Sequence, residues 1–416
     1  MTSFGLEQRK PEVTAPALGF PEILQHKKVL LATESLGPVN GVTRSVLNLL
    51  KYLAQNKVET VVVAPRSDQA AQVEHSLGLP VIWLDGLPLP FNPELRLTYP
   101  FRLSKVYRRS FRPDLIFLAS PATLGAQIWW QSHGRDCPPV MANFQTDLSA
   151  YARTILPPGL NVPGSKLVDF LHRRCLGHPA VRKVLYPSQA SRRYLEGLGI
   201  DPRKLKLVGR GVDVSLFNPA KRNQLWRSQI APDGEPILLC VSRLSLEKGF
   251  DFLAQVAYRL AYENLPFKLV ITGGNNNRAI ERKIHDYFGE LINRQVIFTG
   301  PKLGEDLSQT FASADLFVYP SITETFGQVI QEAMASGLPV VARRQGGPAD
   351  LVKPGETGFL THPDSVDEFV GVVKRLLASP ELRAEQAQNA RQRAENATWE
   401  QVNLTIARQM AECLSD

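Results

Sequence analysis

Short β-branched runs alternating with helical periods set the strongest limit on what this chain can fold into. "KKVLLAT" (27–33) leads into the amphipathic "SVLNLLKYLAQN" and then into "VETVVVAP" (58–65). Such alternation indicates parallel strands, because parallel neighbours need a crossover and a helix is the usual one. The pattern continues through "LIFLAS" (115–120), "PVMANF" (139–144) and "KVLYPS" (183–188). A polar, turn-rich stretch, "RGVDVSLFNPAKRN" (210–223), then reads as a connection between domains. A second series opens at "EPILLCVSRL" (235–244) and runs through "FKLVITGG" (267–274), "QVIFTG" (295–300), "DLFVYPS" (315–321) and "LPVVAR" (338–343). The expectation is an α/β chain with two doubly wound domains, 27–210 and 211–395. Its 416 residues are enough for two such cores.

Composition removes several function classes. At 44% hydrophobic and 21% charged residues the chain reads as an ordinary soluble globular protein. Cys137, Cys175, Cys240 and Cys413 are scattered and show no CxxC spacing, which argues for buried thiols in a reducing compartment and against a zinc site. No run reaches the ~18 apolar residues of a membrane span, and the first twenty residues lack the apolar core of a signal peptide. These features suggest a cytoplasmic protein with a disordered tail over 1–26, in which sequons at Asn396 and Asn403 carry no role. A net charge of +8 and a pI near 9.3 suit anionic ligands or an anionic membrane surface. Basic residues cluster in 102–112, 171–183 and 191–194, with Leu103, Tyr107 and Phe111 interleaved in the first. A solvated helical face is the plain reading of these clusters, and peripheral contact with anionic lipid is the functional one. No nucleic-acid partner is expected.

In doubly wound domains ligands bind beyond the carboxyl ends of the strands, so the loops there hold the candidates. After the first strand, "ESLGPVNGVTR" (34–44) offers Gly37 and Gly41 for close backbone approach. After "PILLCVS" come Arg243 and Lys248, two cations at a helix start, where an anion such as phosphate would offset them. Gly273 follows another strand. "SITETFGQVIQEAMASGLPV" (321–340) then sets Glu324 eight positions before Glu332. Eight steps of 100° return a side chain to within roughly 80°, so a helix starting near Thr325 would let both acids address one ligand. The histidines show no metal-ligand spacing and there is no Asp-x-Asp cluster in a plausible context, so no metal is expected.

Taken together, Glu324-x7-Glu332, Arg243 and Lys248 in "VSRLSLEKGF", "GRGVDVSLFNP" (209–219) and the loop ending Gly41-Val42-Thr43-Arg44 resemble the retaining nucleotide-sugar glycosyltransferases of the GT-B fold, family four. The resemblance implies two Rossmann-like domains facing across a cleft, with a C-terminal helix in 396–416 crossing back to the N-terminal domain. "ANFQTDLSAYA" (142–152), "YPSQASRRYL" and "GRGVD" look like the GDP-mannose-dependent α-mannosyltransferases acting on glycolipids. Many family members carry a His where this chain has Gln145. The implied catalytic residues are Arg243, Lys248, Glu324 and Gln145. Donor contacts fall to Gly41, Arg243, Lys248, Gly273, Lys302, Leu303, Glu324, Thr325, Phe326, Gly327, Gln328 and Glu332. Acceptor contacts fall to Arg44, Gln145, Asp147 and Tyr151. No cofactor is implied beyond the nucleotide-sugar donor, GDP-mannose. The alternatives are a UDP-sugar enzyme similar to the sulfolipid synthases, through "LFNP" and "TDLSAYA", and a non-catalytic nucleotide-sugar-binding protein.

Overall fold

The computed structural model describes residues 19–415 apart from 35, 37–40, 67–69, 71–73, 75–77, 90, 91, 121, 122, 133–136, 158 and 276. Its first half contains β1 (Lys28–Ala32), β2 (Glu59–Pro65), β3 (Val81–Leu84), a hairpin of β4 (Gly86–Leu89) and β5 (Asn92–Thr98), then β6 (Leu115–Leu118), β7 (Val140–Asn143), β8 (Val181–Tyr186) and β9 (Leu205–Leu207). The second half contains β10 (Ile237–Val241), β11 (Lys268–Thr272), β12 (Val296–Gly300), β13 (Leu316–Tyr319), β14 (Val340–Arg343) and β15 (Gly358–Thr361).

Except for the hairpin, every strand pair is parallel. The seven-stranded sheet runs β3-β2-β1-β6-β7-β8-β9 and the six-stranded sheet β12-β11-β10-β13-β14-β15. Both are buried on two faces, which is why their strands are near-continuous Val, Ile and Leu runs with no polar alternation. In each sheet the strand order reverses at one strand, β1 in the first and β10 in the second. The chain leaves to opposite sides there, and the crevice beyond the carboxyl end is where ligands enter. Gly41 and Arg44 follow β1, and Arg243 and Lys248 follow β10.

Helix starts are written locally. Asp147 accepts from Ala150 N at 2.9 Å to cap Leu148–Ile155, Ser188 caps Gln189–Gly197, and Ser379 with Pro380 starts Pro380–Glu395. The last helix, Trp399–Ser415, leaves the second domain. It buries Ile406, Ala407, Met410 and Cys413 in the first domain's core beside Leu31, Leu49 and Leu53. Asn403 there is buried and donates to Asn48 O at 3.2 Å.

The N-terminal expectation needs correction. Residues 1–18 lie outside the described part, but Phe20 and Leu24 belong to the first core, so residues 19–26 are not a tail. The basic stretch 102–112 also differs from its membrane reading. Leu103 and Val106 are buried, and Tyr107 and Phe111 pack against the same core, with the Lys28 ammonium 5.6 Å from the Phe111 ring. Those rings therefore face inward.

Candidate active site

Glu324 sits on the loop after β13 and Glu332 on the helix Gln328–Ala335. That helix starts at Gln328 and not near Thr325, because Gly327 takes φ 98° and interrupts the helical run. The two acids thus reach the cleft from different backbone segments, and the angular argument for one shared helix does not hold. The loop is held from behind by the turn after β14. Gly347 N donates to Glu324 O at 2.8 Å, and a Cβ on Gly346 would stand 2.2 Å from that same oxygen.

Lys248 Nζ donates to Glu324 Oε2 at 3.0 Å and the Tyr319 hydroxyl donates to the same oxygen at 2.8 Å. Thr323 Oγ1 donates to Glu247 O at 3.2 Å, which ties the Lys248 loop to the acid loop. Burial pushes the Glu324 carboxyl up, but the Lys248 charge, the two hydrogen bonds and the Arg210 charge outweigh it and bring it down to about 2. Glu324 is therefore a carboxylate at any physiological pH.

Glu332 is 2% exposed and its partner comes from the other domain, Arg44 on the helix Gly41–Gln55. Burial pushes its carboxyl up to about 7, which Arg44 only partly opposes. Arg210, on the interdomain connection, is 9% exposed and lies 5.8 Å from the Phe326 ring centroid. Its Nε has no partner among the described residues. A Cβ on Gly41 would stand 2.4 Å from its Nη1, so Gly41 makes room for this guanidinium. Arg44, Arg210, Arg243 and Lys248 face Glu247, Glu324 and Glu332, an excess of cations that grows when Glu332 is protonated.

The remaining expected residues divide. Thr325 Oγ1 donates across the cleft to Gln145 O at 3.1 Å, while the buried Gln145 Oε1 has no partner among the described residues. Gln328 Nε2 donates to Gly211 O at 3.0 Å, tying the helix start to the connection. Arg243 is half exposed, 3.8 Å from Glu247. Gly273, at φ 148°, lets the loops after β10 and β11 touch, since a Cβ there would stand 1.8 Å from Ser242 O. Lys302 and Leu303 follow the edge strand β12, next to the loop after β11, whose Gly273 N donates to Gly300 O at 3.0 Å. The Lys302 ammonium donates to Thr310 at 3.0 Å and lies 5.2 Å from the Trp226 ring, and Leu303 is exposed. Arg44, expected on the acceptor side, is paired with Glu332 of the second domain. Asp147 faces its own helix as a cap, with burial raising its carboxyl. Gly37 and the Tyr151 side chain lie outside the described residues.

Sequence reasoning missed Tyr319, Arg210 and the Gly346-Gly347 turn. Tyr319 and Arg210 lay inside the quoted stretches "DLFVYPS" and "GRGVD" without being given a role, and the glycine pair carried no signal. Among the described residues no three His, Cys, Asp or Glu side chains group as a metal site would require.

Residues 39–216 match the profile described as Glycosyltransferase Family 4 and residues 222–393 that of Glycosyl transferases group 1. A GDP-mannose-dependent alpha-mannosyltransferase from Corynebacterium glutamicum is 31% identical over 398 residues, covering 95% of this chain and 91% of the relative. The chain belongs to the family 4 glycosyltransferases. A GDP-mannose-dependent alpha-mannosyltransferase of the same name from Mycobacterium tuberculosis is 36% identical over 340 residues, covering 80% of this chain and 83% of its own. A sulfoquinovosyl transferase from Arabidopsis thaliana is 30% identical over 405 residues, covering 94% and 75%. Sucrose-phosphate synthase from Thermosynechococcus elongatus superposes with a TM-score of 0.76 at 22% identity, covering 94% of this chain and 100% of that one. HepE from Anabaena, solved with UDP and glucose, gives 0.73 at 23%, covering 93% and 100%. These superpositions establish the GT-B fold. The family 4 glycosyltransferase described here accordingly has its excess of cations at the mouth between two Rossmann-like domains.

Proposed function

We propose that this enzyme transfers mannose from GDP-mannose to a hydroxyl of an amphiphilic acceptor at a membrane surface, with retention at the anomeric carbon. The observation that carries the reading is the set of Lys248, Arg243 and Glu324 at the carboxyl ends of β10 and β13, facing Gly41 and Arg44 beyond β1. The bond from the anomeric carbon to the diphosphate oxygen breaks as the acceptor oxygen bonds to that carbon, and the departing GDP takes up the hydroxyl proton. Charge then develops on the diphosphate, where Arg243 and Lys248 stabilise it most in the transition state. Glu324, fixed as an anion, meets the donor sugar. Glu332 accepts from the ribose hydroxyls and exchanges its bond with Arg44 for them. No cofactor beyond the donor belongs to this reading. The relatives named for GDP-mannose support the donor; the second reading is a UDP-sugar, which the resemblance of "LFNP" and "TDLSAYA" to the sulfolipid synthases implies. Gln145 and Asp147 border the acceptor side.

Calorimetric titration with GDP, UDP and ADP side by side, followed by transfer assays with GDP-mannose and UDP-glucose, tests it. Micromolar binding of GDP alone is expected. Saturation by UDP alone, with transfer from UDP-glucose, would replace the donor. Among the described residues no helix is long and apolar enough to cross a membrane, so contact with a lipid acceptor falls to a surface of the fold.

A further inference from the structure

The helix Asn161–Leu176 has two opposed faces. Its inner face buries Ser165, His172 and Cys175, and its acid, Asp169, accepts from the Tyr194 hydroxyl at 2.7 Å. The outer face shows the reverse. Leu167 is 60% exposed and Phe170 54%, with Val162 and Leu171 exposed beside them. Lys166, Arg173 and Arg174 are exposed on the same helix, the Arg174 guanidinium 5.6 Å from the Phe170 ring centroid.

We infer that this outer face is the surface that docks on an anionic membrane, its apolar side chains entering the lipid boundary while the three cations meet lipid phosphates. The chemistry of the face selects that occupant. A solvated helix has no use for four large apolar side chains in the open, and their stripe is interrupted only by basic groups that snorkel to headgroups. A second copy of the chain fits poorly, because a two-fold contact would bring the same three cations against themselves with no acid on the face. The helix packs on Thr123–Gln131 and on Leu148–Ile155. The latter begins just after Gln145, whose carbonyl meets Thr325 at the cleft, so the docked face lies on the flank of the N-terminal domain beside the acceptor side. Residues 102–112, with their rings turned inward, form a solvated basic face by contrast. The inference deepens the proposed membrane-surface acceptor and rests on that reading for its purpose, while its test needs no donor.

The test is co-sedimentation with vesicles of phosphatidylcholine alone and of phosphatidylcholine with phosphatidylglycerol, at low and high salt. The protein is expected to pellet with the anionic vesicles at low salt and to be released by salt. The Leu167→Asp, Phe170→Asp double variant should weaken partitioning by about tenfold or more. Lys166→Gln with Arg173→Gln and Arg174→Gln should weaken it and flatten its salt dependence. Arg108→Gln with Arg109→Gln should leave it near that of the unchanged protein. Thermal unfolding of each variant reports whether it is folded. The inference is overturned if neither vesicle binds the unchanged protein, if the double aspartate variant pellets fully, or if only the Arg108, Arg109 variant loses binding. Dimerisation in solution that the aspartates abolish would also overturn it, assigning the face to a second copy. Failure to bind GDP would count against the donor reading alone.

Discussion

Glu324 and Glu332 lie eight residues apart and inhabit opposite electrostatic regions. Around Glu324 every hydrogen-bond donor comes from its own domain: Lys248 and Tyr319 hold it as an anion, and the Gly346-Gly347 turn holds its backbone. Glu332 is buried, and among the described residues its charged partner, Arg44, belongs to the facing domain. The first region is set before any substrate arrives. The second has a charge that depends on what stands opposite it, so the fit of the cleft is written into the protonation of one side chain.

The largest effect expected of breaking this contrast is on stability. Lys248→Ala strands the largely buried Glu324 carboxylate, whose side chain is 19% exposed, and should cost about 3–5 kcal/mol, read as a lower urea midpoint. An unchanged midpoint would mean that the Glu324 region is not preset. From sequence alone the expected loss for this variant is in rate far more than in stability; the largely buried ion pair adds the loss of stability. Arg243 separates the two. It is half exposed with Glu247 3.8 Å away, so Arg243→Ala should lower kcat/KM by about 2.7–4 kcal/mol and shift stability by no more than about 0.5 kcal/mol. Near-normal turnover would remove Arg243 from the diphosphate site.

Next comes pH. The Glu332 carboxyl is raised from its ordinary 4.5 to about 7, so the folded chain holds a proton that the unfolded chain releases. Its contribution is full below 4.5 and is lost as pH climbs through about 7. Glu332→Gln should therefore gain on the unchanged protein by about 1–3 kcal/mol between pH 5 and pH 8, measured by thermal unfolding. Glu324 runs the other way. Lowered from 4.5 to about 2, it contributes fully above 4.5 and is lost as pH falls towards 2. A Glu332→Gln difference that does not grow with pH would erase the contrast. The smallest effect is for Thr325→Val, which removes the hydroxyl's bond to Gln145 O and should cost about 0.5–1.5 kcal/mol of cleft closure, seen as weaker nucleotide binding with an unchanged urea midpoint.

The sheets and the four loops were legible because β-branched runs, glycines and paired charges act locally. Glu324, Lys248, Gly41 and Glu332 were found that way, and the structure brings them to one cleft. Contacts that depend on folding were not legible. Tyr319 looks like any apolar strand residue until its hydroxyl lands on Glu324. Arg210 lies within the "GRGVD" motif, but nothing in the sequence shows that burial and the Gly41 backbone enclose its guanidinium. Arg44 was assigned to the acceptor side, and only the approach of the second domain shows that it reaches Glu332. Nor did the sequence show that the Lys302 ammonium is engaged by Trp226 and Thr310. Gly327 stopped the helix where a continuous pattern suggested an earlier start.

The helix Trp399–Ser415 has a consequence for how the molecule is made. It fills the core of the domain built from the first two hundred residues with Ile406, Ala407, Met410 and Cys413. That domain leaves the ribosome before the second one, yet its apolar seat for this helix stays uncovered until residues 399–415 are translated. At the ~5–20 residues per second of synthesis, the delay is on the order of tens of seconds. During that interval the nascent domain presents a slot lined by Leu49, Leu50 and Leu53, a natural ligand for a holding chaperone and a seed for aggregation when overproduced. The second domain must be completed before the first can close, so the chain finishes folding where it began.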